Sequence, residues 1–216
     1  MIQGEQATVE AIEGQNGKVR LRLTLSDPES GMDAKVEVGF GTGVPADQSA
    51  VSFEDPPVED NKLRLRAERP DAGINETMEV EIRDNDVVQV SFPDLAPQRP
   101  DIAFVFNLTE LRYTKARSGT KEVVAVDDAA GKYLEGIAEA GYWIFYGSDE
   151  FPPLIITGFS RNRITYFHSA EGTLRSNFNS DESVTLAFLS IPDRDAWSDE
   201  GTLREAGEAF LFQNGI

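Results

Sequence analysis

Lys18-Val19-Arg20-Leu21-Arg22-Leu23-Thr24-Leu25 alternates polar and aliphatic side chains without a break. On an extended backbone Val19, Leu21, Leu23 and Leu25 fall on one side, and Lys18, Arg20, Arg22 and Thr24 on the other. A period of two with one dry and one wet face is the mark of a half-buried strand. The pattern recurs. Ala34, Val36, Val38 and Phe40 alternate with Lys35, Glu37 and Gly39. Leu63, Leu65 and Ala67 alternate with Lys62, Arg64 and Arg66, and Met78, Val80 and Ile82 with Glu79, Glu81 and Arg83. Ala7–Ile12 and Val88–Phe92 complete about seven short strands in the first ninety or so residues, the density of an antiparallel sandwich or small barrel. Gly14-Gln15-Asn16-Gly17 supplies a hairpin turn before the opening strand.

Pro93, Pro97 and Pro100 then interrupt any ladder, which places a domain boundary or a crossing between sheets at that point. Composition shifts there too. Only Phe40, Phe53 and Phe92 are aromatic before it, whereas seventeen aromatics follow. The second half contains a strand at Ile102–Leu108 and a short one at Val123–Val126. Tyr142–Tyr146 is apolar or aromatic at every position, as in a strand buried on both faces. Leu154–Ile156, Ile164–His168 and Val184–Leu189 read as further strands. Asp127-Asp128, followed by Ala130, Tyr133, Leu134, Ile137 and Ala138 at helical spacing, predicts a short helix near 128–140. Thr202 with Glu205 three residues on predicts a capped helix near 202–211.

The expected fold is therefore mainly β, an antiparallel sandwich or jelly-roll-like barrel arrangement with one or two short helices in the C-terminal half. Its expected units are a β-sandwich or small barrel over 1–94 and an aromatic-rich β module over 101–216.

Charge narrows the partners. The 216 residues carry a formal net charge of −18, and the bases are 6 Lys against 14 Arg. Such a surface repels nucleic-acid phosphate and anionic lipid, so no direct grip on nucleic acid and no membrane insertion are expected. High acid with scarce Lys suits a salty habitat, where mobile ions screen self-repulsion. The absence of cysteine excludes disulfides, thiolate metal sites and thiol nucleophiles. The start, Met1-Ile2-Gln3-Gly4-Glu5-Gln6, has neither a basic start nor an apolar core, so no signal peptide is expected. No apolar run reaches the roughly 20 residues of a membrane span.

Sites for chemistry are few. Asp193, Asp195, Asp199 and Glu200 form the densest acidic loop and are the candidate ligands for a hard cation. An EF-hand loop would need an oxygen ligand where Trp197 stands and Gly where Ser198 stands, so that pattern fails. Asp84-Asn85-Asp86 reads as a turn. His168, the single histidine, has only Ser160, Ser169 and Asp181 near it in sequence, and no Gly-x-Ser-x-Gly elbow is present. Asp149-Glu150 and Asp181-Glu182 are acid pairs of the kind any chain this acidic contains. Asn75-Glu76-Thr77 and Asn107-Leu108-Thr109 fit the glycosylation pattern. No catalytic residue and no cofactor are assigned. Tyr142, Trp143, Tyr146, Phe151, Trp197, Phe210 and Phe212 are candidates for a contact surface, since aromatics offer area at low entropy cost. The competing reading makes 142–146 a core strand.

Leu25-Ser26-Asp27-Pro28-Glu29-Ser30, Val36-Glu37-Val38-Gly39-Phe40-Gly41-Thr42-Gly43 and Ala50-Val51-Ser52-Phe53-Glu54-Asp55 resemble pieces of calcium-binding Calx-β adhesion sandwiches. The acidic calcium ladder of those domains is not present in order, and no ligand is carried over. The whole outline, successive β modules with an acidic surface, is similar to capsid or tail subunits of phages. The function expected first is a non-enzymatic structural subunit of a larger assembly, a virion protein of the phage capsid, decoration or tail type. It would meet other copies of itself or other subunits, in a virion or other assembled particle made in the cytoplasm. The alternatives are a carbohydrate- or calcium-dependent adhesion sandwich and a carboxylate-based hydrolase.

Overall fold

The computed structural model describes residues 1–13, 19–27, 31–42, 50–53, 61–69, 74–91, 93, 102–107, 112–118, 121–125, 133–137, 142–157, 164–168, 173–177 and 183–216. Alternating strands need a partner for each dry face, and the chain meets that need with two antiparallel sheets. The strands before the proline segment are β1 (Ile2–Gln3), β2 (Ala7–Glu13), β3 (Val19–Asp27), β4 (Met32–Thr42), β5 (Ala50–Phe53), β6 (Lys62–Arg69), β7 (Ile74–Arg83) and β8 (Val87–Ser91). After it come β9 (Ile102–Asn107), β10 (Lys115–Ser118), β11 (Lys121–Ala125), β12 (Tyr133–Ile137) and β13 (Tyr142–Tyr146). β14 (Leu154–Thr157), β15 (Ile164–His168), β16 (Thr173–Asn177) and β17 (Ser183–Phe188) complete the strands, and α1 spans Glu200–Asn214. The first sheet has the order β1-β2-β3-β4-β9-β16-β15-β12, and the second β11-β10-β13-β14-β17-β8-β7-β6-β5.

Register turns the alternation into continuous apolar rows. In the first sheet Ile2 pairs with Val9, Val9 with Leu23, and Leu23 with Val36. All four side chains are buried. The opposite face is wet, and Glu10 meets Arg22 there at 3.6 Å. In the second sheet one row runs Trp143–Ile156–Leu186–Val88–Ile82 across five strands. A second runs Val184–Val90–Val80–Leu63. Every member of both rows is buried. β3 lies across β5 and β2 across β7, so the two dry faces close on each other. Each fully buried aliphatic side chain contributes about 1.5–3 kcal/mol relative to exposure.

Two expectations change. Residues 133–137 form strand β12, not part of a helix, with Tyr133 opposite His168 and Ile137 opposite Ile164. A single short helix is marginal by itself, and Gly131 and Gly136 would each cost it about 1 kcal/mol. Tyr133 and Ile137 are strand formers, and pairing with β15 supplies the ladder. The rest of the segment near 128–140 lies outside the described residues. The division at 95–100 does not separate two sheets. β4 pairs with β9 and β8 with β17, so both sheets draw strands from before and after the prolines. β8 lies in the second sheet and β9 in the first, so the chain changes sheet across this segment. The Gly14–Gly17 turn lies outside the described residues.

One side chain ties the sheets together at an edge. The turn Asp84–Asp86 between β7 and β8 places Asn85 and Asp86 in the left-handed region, with φ of 59° and 56°. Asn and Asp tolerate that conformation better than other residues with a Cβ. From there the Asp86 carboxylate accepts the backbone N–H of Ala7 at 3.0 Å, joining the second sheet to the first. Gly4 packs against the same carboxylate, where a Cβ would collide with Asp86 Oδ1. Asp86→Ala should lower stability by about 1–3 kcal/mol in urea unfolding, because a half-buried N–H loses its acceptor. Asp86→Asn keeps both an acceptor and the turn, and should retain most of that stability.

Candidate functional site

The second sheet changes character along its outer face. Tyr142 pairs with Thr157, Thr157 with Thr185, Thr185 with Gln89, Gln89 with Glu81, and Glu81 with Lys62. This row runs from aromatic to charged. Its apolar end is covered by α1 and by a 3-10 helix at Arg194–Ser198, and its charged end faces water. Tyr142, Ile144, Tyr146, Ile155 and Ala187 form one cluster with Leu189, Ile191, Trp197 and Leu203. Ala206, Phe210 and Leu211 pack on its margin. The helix lies close to the sheet, since a Cβ on Gly207 would stand 3.0 Å from Ile144 Cδ1. β13 and β14 are thus buried on both faces, which explains why they lack the alternation of β6 and β7.

Polar groups secure this flank. Arg117 of β10 pairs with Ile144 and points to the helix side. It is 5% exposed, and its Nη1 donates to the Glu200 carbonyl at 2.7 Å. The Glu200 carboxylate lies 3.9 Å from the same nitrogen. Asp199 Oδ1 accepts the backbone N–H of Thr202 and its hydroxyl, each at 2.8 Å. The N-cap of α1 is therefore Asp199, with Thr202 inside the first turn. An aspartate caps as well as threonine or better, and its charge suits the positive end of the helix dipole. Those two bonds from Thr202 hold the Asp199 carboxyl below its ordinary range. At the far end Gly215 adopts φ 67°, and Ile216 N donates to Leu211 O at 3.0 Å, the hydrogen bond of a Schellman motif. Trp197 Nε1 donates to Ile191 O at 3.0 Å, with the Arg194 guanidinium 5.2 Å above its ring.

Burial dominates the tyrosines. Tyr113 donates to Pro152 O at 2.6 Å, and burial pushes its hydroxyl well above the ordinary value. Burial, and then the Glu208 carboxylate, raise Tyr142 against the opposing Arg117 and Arg204. Tyr146 is pushed up to about 12 by burial and by Glu200, with Arg117 opposing. Among the described residues its buried hydroxyl has no hydrogen-bond partner, and neither has that of Thr157.

The four acids proposed as cation ligands are parts of this flank. Asp193 accepts from Asp195 N at 3.0 Å and Asp199 caps α1, while Asp195 and Glu200 are exposed. Among the described residues no three His, Asp or Glu side chains come together as a metal cage. Of the seven aromatic contact candidates, Tyr142, Trp143, Tyr146, Phe151 and Trp197 are buried within the chain. Phe210 is half-buried, and only Phe212, at 89%, is exposed. The buried five serve the core because sheet and helices already cover them. Glu150 pairs with Arg112 at 3.4 Å, and the neighbouring Asp149 carbonyl accepts from Arg194. His168 ends β15, with its backbone between Tyr133 and Thr173. Ser160, Ser169, Asp181 and Glu182 lie outside the described residues. Arg117 escaped the sequence reading, and Asp86 was read there only as part of a turn, without its bond to Ala7. Lys115-Ala116-Arg117 has the alternation of a strand whose charged face looks outward, and nothing local says that a helix will cover it.

Asp199→Ala should weaken α1, seen as loss of helical circular dichroism on mild heating. The wild-type contribution of Asp199 is present above the ordinary carboxyl range and lost as pH falls through its lowered value, so the two proteins should converge in acid. Tyr146→Phe should leave the melting temperature at neutral pH unchanged or higher, because it removes a buried hydroxyl that has no partner among the described residues. Raised tyrosines stabilise the fold fully below about pH 10 and lose that contribution as pH rises through the folded values. Alkaline unfolding followed by tyrosinate absorbance should therefore be less steep in pH in the Tyr146→Phe protein. Set beside known protein families, curated proteins and solved structures, the chain matches none.

Proposed function

We infer that this chain is a non-enzymatic structural subunit of a larger assembly, a virion protein of the capsid, decoration or tail type. The observation that carries the reading is the use of interior polar groups as struts. Arg117 holds the start of α1, Tyr113 holds Pro152, Trp197 holds Ile191, and Asp86 holds Ala7. Catalysis asks for polar groups that converge on a substrate, whereas these are spent on backbone atoms of the chain itself. Acidity fits the same reading. A net charge of −18 keeps free subunits apart until ions or a partner screen it, and prevents packaged nucleic acid from adhering. The exposed Phe212 on α1 offers an apolar contact on this acidic ground.

Sizing of the purified protein across a salt and concentration series tests this reading. Assembly into a defined oligomer or particle as salt rises is the expected result. A strict monomer at every salt and concentration would reject self-assembly.

A further inference from the structure

The chain contains two Asn-Gly steps, Asn16-Gly17 and Asn214-Gly215, and the second closes α1. An asparagine before glycine is open to attack on its own side chain, because no Cβ on the next residue shields the backbone nitrogen. Asn16 lies outside the described residues. Asn214 is half-buried in the last turn, and its Nδ2 donates to Phe210 O at 2.8 Å. Gly215 adopts φ 67°, and its N–H is directed at the Leu211 and Phe212 carbonyls. Open space surrounds it, since a Cβ placed there would meet nothing within 4 Å. The fold acts on the reaction in two opposite ways. While the turn is closed, one hydrogen bond holds the side-chain amide along the helix, and another occupies the nitrogen that would attack it. Yet this turn is the kind of helix end that opens at little cost. The buried residues of α1 are Leu203 and Gly207, both before its last two turns. The Gly215 N to Phe212 O bond is long, at 3.4 Å, and Phe212 itself is exposed.

We propose that Asn214-Gly215 is a self-modification site controlled by α1: opening of the last turn lets the Gly215 nitrogen attack Asn214 Cγ, and the acid that results loosens that turn. The Gly215 nitrogen loses its proton and bonds to Cγ, the Cγ–Nδ2 bond breaks, and ammonia leaves with that proton. A water then opens the five-membered ring at either carbonyl. The product is aspartate or its isomer, in which the main chain runs through the side chain. Either one has a carboxylate in place of the amide that donated to Phe210 O, so the donor of that bond is lost. Its charge also falls at the negative end of the helix dipole, in a last turn that holds no base. The loosened turn carries Phe210 and Leu211, which pack on the margin of the core cluster. The proposal stands independently of the assembly reading.

Peptide mapping by mass spectrometry tests it, on the full chain aged at mildly alkaline pH in buffer and in urea. The two Asn-Gly steps fall in separate peptides, so Asn16 does not obscure Asn214. In buffer the peptide holding Asn214 should lose ammonia and yield both acid products. In urea, where no turn restrains it, the loss should be several times faster. Asn214→Gln keeps a donor amide but would need a six-membered ring, so residue 214 should stay intact in both. Asn214→Asp stands in for the product. In hydrogen exchange its amides of 211–216 should exchange about threefold faster or more than those of the wild type, while β13 and β14 keep their protection. An Asn214 that stays intact in buffer overturns the site. Equal rates in buffer and urea overturn its control by α1, and wild-type exchange in Asn214→Asp overturns the loosening.

Discussion

Burial of the middle strands of the second sheet on both faces is the constraint on which the rest of the structure depends. Trp143, Ile156 and Leu186 fill the space against the first sheet, while Tyr142, Ile144 and Ile155 fill the space against α1. Three layers follow from this. Without the first sheet the inner rows would face water, and without α1 and its 3-10 neighbour the outer cluster would. At about 1.5–3 kcal/mol per buried side chain, either loss exceeds the whole stability of an ordinary domain. The polar struts are smaller and directional. Arg117, Asp86 and Asp199 do not drive collapse; they determine where the turn and the helix come to rest.

The edge of this constraint explains the surface. α1 covers only part of the second sheet, so the outer row becomes hydroxylated at Thr157 and Thr185 and charged at Glu81 and Lys62. Cross-strand pairs such as Arg64 with Glu79 at 2.6 Å partly balance charge on that open face. On the helical flank acids outnumber bases. The same chain thus has, among the described residues, a sheet surface with paired charges and a helical one on which acids are in excess.

Legibility followed the range of the interactions. Leu21, Leu23 and Leu25 are buried and Arg22 and Thr24 are not, as alternation demands. The unbroken apolar run 142–146 was readable as a strand with two dry faces, although not what covers each face. The segment around Tyr133–Ile137 misled because its apolar spacing also fits a helix, and the deciding partner, β15, lies about thirty residues away. Thr202 resembled a cap, yet Asp199 three residues earlier takes the role with a stronger acceptor. Among the site residues, the acids 193–200 were visible as a cluster, but their division into caps and exposed charges depends on the turn geometry of two helices.

Sequence alone determined the side-chain faces, the strand-rich class, the acidity and the position of the last helix, because each rests on neighbours within a few residues. Tertiary structure decided which strand lies beside which, that both sheets draw strands from before and after the proline segment, and that an arginine is buried beneath a helix. Those outcomes depend on contacts between residues far apart in the chain. Apolar rows match in many registers, and only simultaneous packing of all three layers selects one.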